Sequence, residues 1–104
     1  MPVIVNRTKL HELLVSILGT RNVYFQPPES LKLSYPCIIY KRTSGDTQFA
    51  NDTPYTFRIR YQLTYVDKNP DSQVIEKLSE LPMCIYDRHY TSDNLNHDIF
   101  NIYF

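Results

Sequence analysis

The sequence predicts an α+β domain: one mostly antiparallel sheet with two helices packed on one of its faces. Three observations carry this. From Tyr55 to Tyr65, aromatic or aliphatic residues alternate without a break with polar ones. Leu10, Leu13, Leu14, Ile17 and Leu18, and further on Val74, Ile75, Leu78 and Leu81, recur instead at helical spacing. The other apolar runs are short, β-branched or aromatic, and bounded by Pro, Gly, Asn or Asp.

Alternation defines the central strand. In an extended chain successive side chains point to opposite faces, so Tyr55, Phe57, Ile59, Tyr61, Leu63 and Tyr65 share one side. Thr56, Arg58, Arg60, Gln62 and Thr64 share the other. A helix would scatter the same apolar residues around its circumference. The first set is expected to line the core, beneath Leu10, Leu14, Ile17, Val74 and Leu78, and the second to face water.

The first helix is expected over residues 7–18, capped by Asn6 or Thr8 and stopped by Gly19. Residues 22–25 read as a short strand, ended by Gln26-Pro27-Pro28, whose prolines remove two backbone donors. Residues 35–42 read as a second strand, entered through Pro36. Thr43 to Pro54 reads as a loop, with turn-forming residues at Ser44-Gly45-Asp46 and Asn51-Asp52-Thr53-Pro54. Such a loop exceeds the usual hairpin connection of roughly two to five residues, which marks it for function. After the central strand, Asn69 reads as a helix cap with Pro70 at the first helical position and Pro82 as the stop. Residues 84–90 form the next expected strand, 91–96 a turn, and 97–104 a last strand with Phe100, Ile102 and Phe104 on one face.

At 104 residues with no linker, repeat or low-complexity segment, the chain is expected to be one domain spanning 1–104. Eleven basic and eleven acidic side chains cancel, which argues against nonspecific nucleic-acid binding driven by phosphate neutralisation. No apolar run approaches the ~20 residues of a membrane span, and residues 1–7 lack the plan of a signal peptide. Cys37 and Cys84 lie in separate apolar stretches without CxxC spacing and are expected as buried free thiols of a cytosolic protein.

Motifs of catalysis are missing: two glycines cannot build a phosphate cradle, and no hydrolase elbow or zinc-protease helix occurs. The densest polar group is Asp87-Arg88-His89 with Asp93, His97 and Asp98. On a regular strand Asp87 and His89 share a face while Arg88 points away, so no convergent ligand shell is defined. His11 reads as a surface or boundary residue. No cofactor, metal site or enzymatic activity is expected. Arg58 and Arg60 can grip phosphate, but the solvated face of a strand is the simpler account of the pair, and the zero net charge favours it further.

Three segments carry a resemblance. They are Val23-Tyr24-Phe25-Gln26-Pro27-Pro28 with Leu33-Ser34-Tyr35-Pro36-Cys37-Ile38-Ile39-Tyr40; Arg60 to Ser72; and Asp87-Arg88-His89-Tyr90 with Asp93-Asn94-Leu95-Asn96-His97. Over residues 7–104 the chain resembles small head–tail connection proteins of long-tailed bacteriophages, and among them the tail terminator, or tail-to-head joining, proteins. The resemblance implies a structural protein of the virion, assembled in the host cytoplasm. It implies a homo-oligomeric ring, hexameric in the family, that caps the tail tube protein and docks to the head–tail connector protein. Any DNA contact would be through the ring lumen. No catalytic residue comes with it. The expected subunit or tube interface comprises Asp46, Phe49, Asn51 and Asp52 in the long loop, with Arg58 and Arg60 beside it. A head-completion connector is the alternative of the same class. A nucleic-acid-binding accessory protein, using Arg58, Arg60 and the acid–histidine cluster, is the alternative of another.

Overall fold

The structure, a computed structural model, describes residues 7–50 and 53–104, with backbone alone at residues 46, 48–50 and 53–57. Helix α1 (Arg7–Leu18) is followed by strands β1 (Val23–Phe25), β2 (Cys37–Ala50) and β3 (Thr53–Asp67), helix α2 (Gln73–Ser79), and strands β4 (Cys84–Ser92) and β5 (Leu95–Tyr103). The strands form one sheet in the order β1-β2-β3-β5-β4, antiparallel except for the β1–β2 pair. The α+β architecture predicted from the sequence is the one observed, with β3 at its centre.

Both helices cover the same face. Leu10, Leu14 and Leu18 of α1 and Leu78 of α2 join Ile38, Tyr40, Ile59, Tyr61, Leu63, Tyr65, Phe100 and Ile102 in one buried cluster. Ile17 and Val74 pack at its margin, half-buried. The alternation of the central strand therefore sorts as predicted from Ile59 to Tyr65, while the side chains of Tyr55 and Phe57 lie outside the described ones. Helix α1 ends because Gly19 takes a left-handed φ of 85° and returns its N–H to the Val15 carbonyl at 2.9 Å. Arg7 lies 4.4 Å above the Phe25 ring and ties the start of α1 to β1.

The face without helices is not uniformly wet. Because β1 and β2 run parallel, residues 26–36 must cross back over the sheet. Tyr24 pairs with Ile39 and so faces away from the core, and its hydroxyl accepts the Ser34 N–H at 3.3 Å. The crossover is thereby held on this open face, where Cys37, Val66 and Ile99 are also buried.

Four local expectations require correction. The stretch 43–54 is not a loop: β2 continues to Ala50 and β3 starts at Thr53, leaving only residues 51–52 between the paired Ala50 and Thr53. Gly45 lies in register with Ile59, and a register shift between Arg42 and Ser44 absorbs the irregularity of that stretch. Pairing with β3 supplies the extended conformation that Ser44-Gly45-Asp46 would not choose alone. Helix α2 starts three residues later than its proline suggests. Asn69 and Asp67 cap turns, accepting from Asp71 N and Asn69 N, while Ser72 in an extended conformation accepts from Val74 N and caps the helix. The β4–β5 connection is two residues, Asp93 and Asn94, both at positive φ, rather than residues 91–96. Finally, β4 carries a bulge between Tyr86 and Arg88, so Asp87 and Arg88 do not point apart.

Candidate functional site

The segment singled out from the sequence becomes a two-stranded ribbon. Strand β5 pairs with β3 only from Arg60 to Asp67, and β1 pairs with β2 only from Ile38 to Tyr40. Residues 46–50 and 53–58, by contrast, pair only with each other among the described residues. At ~3.3 Å per residue, the ribbon extends roughly 20 Å past the five-stranded sheet. The molecule is accordingly elongated, 51 × 26 × 22 Å.

Most of the predicted interface residues lie on this ribbon or at its root. Asp46 is in register with Arg58, and Phe49 with Pro54. The side chains of Asp46 and Phe49 lie outside the described ones, as do Asn51 and Asp52 altogether. Arg58 is exposed near the root of the ribbon, and Arg60 is half-buried where β5 begins to pair. Thr43 donates its hydroxyl to the Arg60 carbonyl at 3.0 Å, closing the junction between ribbon and sheet.

The acid–histidine group does not converge. Asp98 is buried on the helix face and accepts from the Tyr86 hydroxyl at 2.9 Å. His97 lies on the opposite face, stacked on Tyr90 with ring centroids 4.6 Å apart and 11° between planes. His89 Nε2 meets Asn96 Oδ1 at 3.0 Å. Among the described residues no three His, Cys, Asp or Glu side chains come together as metal ligands would. Cys37 and Cys84 are free thiols, and burial pushes the pKa of each up to about 11. Such thiols are protonated and poor nucleophiles at neutral pH. His11 is half-buried and its Nδ1 lies 2.8 Å from the Tyr40 hydroxyl, whose pKa is raised chiefly by burial.

An open groove of about 610 Å³ runs along the open face between the crossover and β4. Ile39, Thr64 and Ile99 are in its floor, Pro27 and Leu33 on the crossover side, and Arg88 and Tyr90 on the β4 side. Lys41 and Arg42 add positive charge, Glu29 is the one carboxylate, and Cys, His and Ser are absent from the lining. The groove offers shape and charge, without a paired nucleophile and base.

Sequence reasoning overlooked the surface at β4. This strand is a sheet edge, and eight of its nine residues are exposed. Ile85 is 66% accessible, with Met83, Tyr86 and Tyr90 also prominent. The charges of Asp87, Arg88 and His89 in mid-strand were the available signal, because charged residues are a mark of edge strands.

Searches against protein-family models and against curated proteins each found no match for this chain.

Proposed function

We propose that this chain is a structural subunit of the phage tail terminator type, forming a ring of identical copies that caps the tail tube and joins it to the head connector. The observation that carries this reading is the ribbon. A pair of strands that extends past its own sheet leaves both outer edges free for a neighbouring chain. The sequence phrases at residues 23–40, 60–72 and 87–97 point to the same class of protein. A rigid sheet bearing one projecting arm suits a head-to-tail contact, and such a contact closes into a ring when its rotation allows. Six copies are expected from the resemblance, with the tail tube protein on one side, the connector on the other, and the virion's head–tail junction as the location.

The test is assembly. Purified protein, alone and mixed with tail tube protein, is examined by light scattering and negative-stain microscopy for rings. A variant in which residues 47–57 are replaced by Asn-Gly keeps Asp46 opposite Arg58 and retains the five-stranded sheet. It is expected to fold but not to form rings or join tails to heads. Wild-type protein that makes no ring in either mixture, or a ribbonless variant that assembles normally, overturns the reading.

A further inference from the structure

We infer that the β4 edge is a self-complementary surface, and that its occupant is β4 of a second copy in an antiparallel, twofold-related pairing. The edge itself carries this pairing, independently of ring formation.

The bulge makes the register possible. Before it, Cys84 and Tyr86 lie opposite Ile102 and Phe100 and face the helix side, so Ile85 faces the open side. After it, Arg88 and Tyr90 lie opposite Ile99 and His97 and face the open side, so His89 faces the helix side. Asp87 is the extra residue. Its Oδ2 lies 3.6 Å from Arg88 Nη1, in keeping with a bulge that brings the two side chains to one side.

Now let two β4 strands run antiparallel about an axis between Asp87 and Arg88. Each Asp87 meets the second copy's Arg88, Tyr86 meets His89, and Ile85 meets Tyr90. Every pair lies on one face, because the bulge has already switched the strand's parity. An unbulged strand would place these partners on opposite sides of the sheet. The chemistry matches pair by pair: opposite charges at the centre, two aromatic rings next, and two exposed apolar side chains beyond. Registers that set Asp87 against Asp87 or Arg88 against Arg88 bring like charges together, so the central charges disfavour the two neighbouring registers.

The side chains are also held in place beforehand. Tyr86 is fixed by Asp98, His89 by Asn96, and Tyr90 by its stack on His97. Pairing would cover Ile85, 66% accessible, and Tyr90, 44% accessible. The opposite edge is unsuited to the same role, since β1 has only 3 residues.

Charge exchange tests this on the full-length chain. Sedimentation across a range of concentrations should show a monomer–dimer step that weakens with salt. D87R and R88D each set like charges opposite one another and should raise the dimer dissociation constant roughly tenfold or more. An equimolar mixture of the two variants, and the double exchange D87R/R88D, should each restore dimerisation. Circular dichroism checks that all variants are folded. Rings, if they form, are distinguished by mass, so loss of the ring and loss of the dimer are separate results. No dimer step in wild type, unchanged dimerisation in both single variants, or single-variant loss without recovery in the mixture and double exchange would overturn the inference.

Discussion

Leu63 is fully buried at the centre of the sheet, between Tyr40 on β2 and Phe100 on β5. Truncating it leaves a void that these neighbours cannot fill without moving, so Leu63→Ala should cost about 2–5 kcal/mol in urea unfolding. Tyr65 combines the same burial with a polar tip. Its hydroxyl donates to the Asp67 carboxylate and lies 2.8 Å from Ser72 Oγ, and burial raises its pKa, as does the bond to Asp67. The two cysteines shift in the same direction, from 9.0 to about 11. Between those values the unfolded chain has lost thiol protons that the folded chain keeps. The stability these two thiols contribute is therefore fully present below about pH 9 and is lost as pH rises towards about 11. Chemical unfolding from pH 8 to 11 should show this decline, and Cys37→Ala should make it shallower. In the native protein at neutral pH, Cys37 should resist thiol reagents until the protein is unfolded.

At the scale of elements, caps and pairing decide what propensity leaves open. Helix α2 has only 7 residues, too few to be stable alone in water. Ser72 holds it twice, accepting from Val74 N at 3.2 Å and meeting Tyr65 on the central strand. Ser72→Ala should therefore destabilise the protein by about 0.5–2 kcal/mol, at the upper end because two contacts are lost. Ser72→Thr, which keeps the hydroxyl, should recover most of that in the same thermal or urea measurement. The ribbon is the opposite case, an element whose stability comes from one neighbour only. Two-stranded hairpins are marginal in water, so most of the folding free energy should reside in the sheet that remains when residues 47–57 are replaced by Asn-Gly. Calorimetry of that variant should show a cooperative transition within a few degrees of wild type.

Over the whole molecule, the two helices close one face and the crossover shields part of the other. Two elements have backbone edges without a partner strand among the described residues, the ribbon and β4, and these give different expectations. The ribbon suits a head-to-tail contact between identical chains. The β4 edge suits a twofold contact. If both operate, shortening the ribbon should remove rings and leave the dimer, while D87R should remove the dimer and leave individual rings intact. Light scattering on the two variants side by side separates these outcomes.

Helix α1 could be read directly from the sequence because its boundaries follow from local chemistry: a stripe at helical spacing and a glycine for the left-handed stop. The central strand was legible for a similar reason. Its unbroken alternation has one consistent reading, and the inward positions from Ile59 to Tyr65 follow from it. Beyond these, partners decided. Thr43 to Ala50 carries turn-forming residues and little alternation, and it is extended because β3 lies alongside it. Asn69-Pro70 resembles a helix start, yet the tyrosine that fixes Ser72 as the cap comes from a strand seven residues earlier. The burial of Cys37, Val66 and Ile99 on the supposedly wet face depends on a crossover whose path is set by the parallel pairing of β1 and β2. The bulge at Asp87 has no local signature at all. It is the offset between two strands, and a quantity that belongs to a pair cannot be read from either strand alone.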